Sequence, residues 1–599
     1  MDSISGTEKR KVNSSFWVVC SPVSPTETQV RGGADQAEAY IEGVPGAQMG
    51  PLFVSFTLLP STTAMFWISM KNEPKQVLNR TLWFAIFVFG LLGTSRGLDE
   101  GNISGTVAQP AFISEFKLHD PSLSKDAKAN LLSNITSMVQ IGSVAGALIA
   151  MLVVDRIGRL WSLREMLVVW IVGVIIQITS KDVGQLYAGR FIAGMGIGQS
   201  VVIGPTYLAE IAPPHVRGLA TCAFSGSVYL GVMLSYFANY GTTLHVSNSS
   251  RNQWVIPTIL QIIFSGIMLI GSVFVHESPR WLMKIGKDEE AVETLCKIRK
   301  LPADDLYVQG EILMVREQIE REKQAMTGAS YWSLFKELLS TPANRYRLFL
   351  GLMIQILGQW SGANAITIYA PSFFEMIGVH GQQQKMLSTA ILGVVKFAAS
   401  ILCAVFLIDT IGRRRSLYSG ISLQFVSILY VSIYLAVVPN NDPARVKSAS
   451  ERHAGIGAIA AIYLSGVGWA LGWNSVQYLI NAEIYTVRHR SLASGLIMTV
   501  HFANQYGNSK ALPSMRLGMT DTGAMFFFSG VILIGLAWSW FFLPEVSGRS
   551  LESIDEMFSL PWYLIGRRGH QMVPETSAAV QIAADEDEKK GGVVHVENC

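Results

Sequence analysis

The sequence predicts an all-α membrane protein whose twelve transmembrane helices form two pseudo-symmetric six-helix halves, and three observations carry that prediction. Half of the 599 residues are hydrophobic and only 15% are charged, with a mean hydropathy of +0.33, well outside the balance of soluble domains. Apolar stretches long enough to cross about 30 Å of hydrocarbon recur at 82–105, 132–154, 161–180, 185–211, 218–240, 254–275, 348–374, 386–408, 416–438, 457–482, 490–513 and 522–543. The long polar connection 277–346 divides them six and six, and charged signatures of the first six return in the same order in the second six.

Taken in order, residues 1–81 read as an N-terminal cytosolic tail, of which 1–50 are rich in Ser, Gly, Pro and charge without apolar periodicity. Residues 51–70 are apolar but contain Pro51 and Pro60, which leaves open a thirteenth span, an interfacial segment, or a gene-model extension with Met70 as the true start. Residues 82–276 make the first half. In the connection 277–346, KDEEAVETLCKIRK and EILMVREQIEREKQ carry interleaved charges at helical spacing, as short amphipathic surface helices do. Residues 347–543 make the second half, and 544–599 a cytosolic tail that ends ADEDEKKGG and VVHVENC.

Basic residues set the orientation. One series of short loops carries Arg156, Arg159 and Arg164, then Arg413, Arg414 and Arg415, then Arg488 and Arg490, so those loops, the central connection and both termini are expected on the cytoplasmic side. The sequon at Asn248 would then face outside and Asn13 would be cytosolic. A net charge of +3 does not point to nucleic acid, and there is no Walker loop, zinc spacing or hydrolase elbow. Cys20, Cys222, Cys296, Cys403 and Cys599 show no CxxC spacing, which argues against a disulfide framework or metal site. The reading is a non-enzyme with no cofactor.

The fourth span, within AGRFIAGMGIGQSVVIGPTYLAEIAPPHVRG, has Gly189, Gly194, Gly196 and Gly198 on nearly one face, where a second backbone can approach. It also carries Arg190, roughly 8 Å in from the external end at 1.5 Å per residue. A charge at that depth needs an acidic partner. Asp99, roughly 25 Å from the cytoplasmic start of the first span, lies at a similar depth. Arg96 and Glu100 complicate the local charge count and rank second.

The halves echo each other in three places. Asp155-Arg156-Ile-Gly158-Arg159 follows the second span and Asp409-Thr-Ile-Gly412-Arg413-Arg414-Arg415 the eighth; Glu210 and Arg217 straddle the exit of the fourth, Glu483 and Arg490 that of the tenth; Glu277-Ser278-Pro279-Arg280 follows the sixth, and Pro544-Glu545 the twelfth. Two halves related by an axis along the membrane normal suit a rocking carrier. These charges are expected to latch the halves at a cytoplasmic gate.

With the motifs DRIGR, DTIGRRR, PTYLAEIAPPHVRG, HESPRWL and QILGQWSGANAITIY, the chain resembles the sugar porter family of the major facilitator superfamily over about residues 82–560, and GLDEGNISG, NQWVIP, GVVKF and LGWNSVQYLINAEIY have the flavour of fungal quinate permeases. The resemblance implies a twelve-helix alternating-access carrier, usually in the plasma membrane. It implies a proton-coupling role for Asp99 and Arg190, against which a static structural pair stays open, and places Gln355, Gln359, Asn364 and Tyr369 among the seventh-span ligands. Trp473 and Asn474 replace a proline-rich run of the tenth span and are expected to line the same cavity, with a packing role as the alternative that such residues fill just as often. Gly358 and Ser225 stand where hexose carriers have glutamines, His276 where the family has proline, and Met151 where it has glycine.

The sharpest departure is Lys396, near the midplane of the eighth span, where hexose carriers resemble one another in having an asparagine. Glu375, Asp409 and Glu483 all fall near helix ends, so the second half offers it no acid at its own depth. A lone cation in the bilayer centre is expensive. Either the substrate supplies the anion or the lysine pairs across the cavity with Asp99 or Glu100. The expectation is a proton-coupled secondary transporter importing a polyhydroxylated carboxylate of the quinate type, with a hexose or pentose carrier and a non-transporting nutrient sensor as alternatives. Its partners would be the substrate, protons and the lipid bilayer, with no nucleic acid, and a monomer as the working unit.

Overall fold

The structure, a computed structural model, describes residues 74–213, 216–326, 330–403, 412–438, 448–546 and 551–568. The tail 1–50, the ambiguous stretch 51–70 with Met70, Asn13, Asp409 and the charged C-terminal end lie outside the described residues. The rest is almost wholly helical.

Six long helices form the first half: α1 (Arg80–Thr106), α2 (Lys125–Ile157), α3 (Arg159–Ile178), α4 (Val183–Ile211), α5 (Arg217–His245) and α6 (Asn252–Gly271). Their starts follow local chemistry. The Asn79 side chain accepts from the amides of Thr81 and Leu82 at the head of α1, Ser124 caps α2 and Asp182 caps α4, each satisfying an amide that has no partner inside the helix. Four short helices, Pro279–Lys284, Asp288–Arg299, Leu306–Met326 and Tyr331–Ser340, occupy the polar connection.

The second half begins with α7, in three pieces: Pro342–Trp360, Ala363–Ile368 and Ala370–Met376. Gly362 at φ 83° and Pro371, which lacks a donor, break it. Then come α8 (Gln382–Leu402) and α9 (Arg413–Val437). Helix α10 starts as Ala449–Trp469, swells into a π turn at Ala470–Asn474 and continues as Ser475–Glu483. The run Val487–Phe542 is two spans joined at Thr520, whose φ of 65° is not helical, giving α11 (487–519) and α12 (521–542). Among the described residues ten stretches are long and apolar enough to cross a membrane; one of them holds both α11 and α12, and the broken α7 completes the twelve.

Glycine decides which helices touch most closely. The four glycines of α4 do not share one face, which corrects the sequence reading: a Cβ on Gly194 or Gly198 would strike the α2 backbone at Val139 or Ser143, whereas one on Gly189 or Gly196 would strike α3 at Gln177 or Met166 and Trp170. At 100° per residue the set is wide enough to serve two neighbours. In α1, Gly93, Gly97, Gly101 and Gly105 form a single four-residue ladder against Phe224, Val228, Val232 and Asn239 of α5. After α12, residues 551–568 fold into two helices, Leu551–Ser559 and Trp562–Arg568, with Met557, Phe558 and Ile565 buried in the cluster that holds Tyr346 of α7.

Candidate transport site

The repeated charges cluster at the face that carries the basic loops, and the described ion pairs among them fall within each half. Arg159 sits in a fork with Glu210 at 2.7 and 2.9 Å and reaches Asp155 at 3.1 Å; Asp155 also takes Lys284 at 2.9 Å. Arg413 pairs with Glu483 at 3.2 Å. The residues seven apart do not pair in the first half: Glu210 takes Arg159, while Arg217 and Arg156 lie exposed. Arg490 donates to the carbonyl of Tyr485 at 3.3 Å, and Arg280 pairs with Glu322 of a surface helix.

Glu277 and Glu545 do the same job in the two halves. Glu277 accepts from the amides of Arg159, Leu160 and Ser278 at 2.8 to 3.3 Å, and Glu545 from those of Arg413 and Arg414 at 3.1 and 3.0 Å. Each carboxylate caps the third helix of its own half at the positive end. Gly158 and Gly412, at φ 92° and 89°, make the approach possible, because a Cβ there would stand 2.5 Å and 2.9 Å from the two carboxylates. Burial raises the Glu277 carboxyl above its ordinary range, against the pull of those amides and Arg159. Burial, with Lys297 and Lys300 nearby, lowers His276.

Between the halves lies a cavity of about 270 Å³, near the small end for small-molecule sites. Its wall includes Arg96 and Glu100 of α1, Ser225 and Tyr229 of α5, Asn364 and Thr367 of α7, Trp469, Asn474, Gln477, Tyr478 and Asn481 of α10, and Ser494 and Met498 of α11. Thr221, Asn481 and Ser494 stand near the basic-loop ends of their helices, so the cavity runs toward that face. On the opposite side the halves are joined. The Tyr369 hydroxyl meets Thr136 of α2 at 2.6 Å, Gln382 donates to Ala108 at 2.8 Å, and Lys510 donates to Asn134.

Two groups of charge stand in the middle of the bundle. Arg190 faces Asp99 with two contacts of 3.3 Å and donates a third hydrogen bond to the carbonyl of Thr136; both residues are buried and stand behind the cavity wall. Arg96 is held from several sides: Nε to Glu100 at 2.7 Å, Nη1 to the Tyr478 hydroxyl at 3.0 Å and to His501 Nε2 at 3.2 Å, and Nη2 to Gln505 at 3.3 Å. Gln505 also donates to Glu100 at 2.7 Å. Lys396 is buried, donates to the Thr367 hydroxyl and lies 5.8 Å from the centre of the Tyr229 ring. Among the described residues no carboxylate is within ion-pair distance of it, although Glu100 is close enough to act on it electrostatically.

Of the seven predicted substrate contacts, Asn364 and Asn474 line the cavity. Lys396 stands one layer back, behind Thr367 and Tyr229. Gln355 and Gln359 turn toward α11, to His501 Nδ1, at 2.8 and 3.3 Å. Tyr369 closes the far side, and Trp473 lies against Gly358 and Gly535 inside the second half. The structure brings forward His501, Gln505, Tyr478, Gln477 and Thr367, which the sequence does not single out, and moves Arg96 and Glu100 from second rank to the cavity wall. One signal was present: His501, Gln505 and Asn508 are spaced i, i+4, i+7, a polar stripe on one face of a span that is otherwise largely apolar on its first half. Asn364 Nδ2, Gln477 Oε1 and both amide atoms of Asn481 are buried at the cavity with no hydrogen-bond partner among the described residues, and together they offer donors and acceptors to a hydroxylated guest.

Comparison with known proteins agrees with this architecture. The chain is 34% identical over 491 residues to a probable quinate permease of Aspergillus fumigatus, covering 82% of this chain and 89% of the relative. It is 32% identical over 503 residues to the quinate permease of Neurospora africana, covering 83% and 92%. Among solved structures, the proton:xylose symporter XylE bound to 6-bromo-6-deoxy-D-glucose superposes with a TM-score of 0.65 at 22% identity, over 80% of this chain and 99% of that one, and shares the major facilitator fold. The family model for sugar (and other) transporters matches residues 85–558. A multi-pass, twelve-helix bundle with a central cavity and these relatives is a transporter and not an enzyme, and the chain belongs to the sugar porter family of the major facilitator superfamily.

Proposed function

We propose that the protein imports a polyhydroxylated carboxylate of the quinate type together with protons, by alternating access. The observation that carries the reading is the central charge balance: Arg96, Arg190 and Lys396 stand against Asp99 and Glu100, three cations against two carboxylates. One of these positive charges lacks an anion. An isolated cation in a low-dielectric interior is costly, and a carboxylate guest removes that cost where a neutral sugar does not. The amide atoms of Asn364, Gln477 and Asn481 that find no partner among the described residues suit the guest's hydroxyls, and relatives named quinate permeases support the same class.

Asp99 and Arg190 are the proposed proton-coupling pair. Protonating Asp99 would free Arg190 while the arginine keeps its bond to the Thr136 carbonyl on α2, one of the helices that closes the far side. The basic-loop face is proposed to be cytoplasmic and the membrane the plasma membrane, so that the described cavity opens inward; a monomer surrounded by lipid is the proposed working unit. The charge clusters at that face are proposed to brace each half and to form the cytoplasmic gate. Uptake of labelled quinate and glucose into proteoliposomes, with and without an imposed pH gradient, tests the reading. Quinate accumulation driven by the gradient is the expected result; uptake of glucose alone would replace it with a plain sugar carrier.

A further inference from the structure

Lys396 is the unpaired cation, yet it is Arg96 that reaches the cavity. This mismatch rests on the acidic-substrate reading above and deepens it. In the described state Arg96 spends its Nε on Glu100, and Glu100 also accepts from Gln505. Both members of the pair line the cavity. Lys396 stands behind Thr367 and Tyr229, which line the cavity, and Glu100 lies within its electrostatic reach.

We propose that Arg96 is the anchor for the substrate carboxylate and that Glu100 is a resident stand-in for it, displaced when substrate binds and turned toward Lys396. A guanidinium fork binds a planar carboxylate in two parallel hydrogen bonds, which an ammonium cannot do. The exchange leaves no charge alone: Arg96 pairs with the guest, Glu100 with Lys396, and Asp99 with Arg190. It also couples binding to movement. Arg96 belongs to the first half, whereas Tyr478, His501 and Gln505 belong to the second, so a guest that takes the guanidinium loosens a strap between the halves. A ligand shifts a conformational balance only through such a difference in contacts.

The two partners predict opposite signs. Equilibrium binding of labelled quinate to the purified full-length protein should weaken by about tenfold or more in R96Q, the scale of one lost charge-assisted contact. It should tighten by about three- to tenfold in E100Q, because the competitor has lost its charge. A cyclic polyol lacking the carboxylate should bind E100Q and the parent alike. Tighter binding cannot come from misfolding, so E100Q decides the matter even if R96Q is unstable. Quinate binding to E100Q that is unchanged or weaker, with the parent binding normally, overturns the exchange alone. A parent protein that binds glucose and not quinate overturns the acidic-substrate reading and this proposal with it.

Discussion

The bundle holds two kinds of internal charge, and they differ in what they leave unsatisfied. Asp99 and Arg190 form a closed pair, both side chains no more than 2% exposed, joined twice and set behind the cavity wall. Arg96, Glu100 and Lys396 form an open set: two line the cavity, one stands just behind it, and the charges do not cancel. A balanced pair away from the guest can store or release a proton without touching cargo. An unbalanced set beside the guest can choose among guests by charge. On the proposed reading coupling and selectivity rest on separate groups of charge, and substitutions can break either alone.

The largest effect is expected at the closed pair. Asp99→Asn should abolish accumulation of quinate against its gradient while exchange of labelled for unlabelled quinate continues, both measurable in proteoliposomes; a D99N protein that still concentrates substrate would remove Asp99 from coupling. Next comes the open set. Lys396→Asn removes the odd positive charge and should lower quinate uptake by about tenfold or more, the worth of roughly 1.4 kcal/mol, with little change for any neutral sugar. Full quinate affinity in that protein would end the counter-charge argument. The smallest effect is expected at Thr367→Val, which keeps the shape but takes the hydroxyl from the lysine amine. A loss of about 1 kcal/mol, near fivefold in quinate uptake, should follow, and no loss would mean that the amine finds another partner unaided.

The motif clusters were legible because their rule is local. Asp155, Gly158 and Arg159 lie within about one turn, and the return of the same residue types before α9 marks them as a repeat. Their pairing was less legible. Residues seven apart at the exit of α4 invite a direct Glu210–Arg217 bond, whereas the structure gives Glu210 to Arg159 and leaves Arg217 exposed, because the competing partner comes from α3 and no spacing within α4 announces it. The glycines of α4 show a different limit: at 100° per residue their spacing already sets Gly194 and Gly198 well around the helix from Gly189 and Gly196, but it does not say which neighbouring helix each pair meets.

By itself the sequence determined the twelve spans from residue 82 onward, the twofold repeat, the Asp99–Arg190 pair and the presence of an odd cation in the second half, since hydrophobic length, loop charge and depth along a helix are all read in one dimension. Only the tertiary structure decided that Arg96 meets the cavity while Lys396 stands behind Thr367, and that Gln355 and Gln359 turn to His501. Depth follows from counting residues. Which way a side chain faces depends on the rotation of its helix against its neighbours, and that is fixed by packing across the whole bundle.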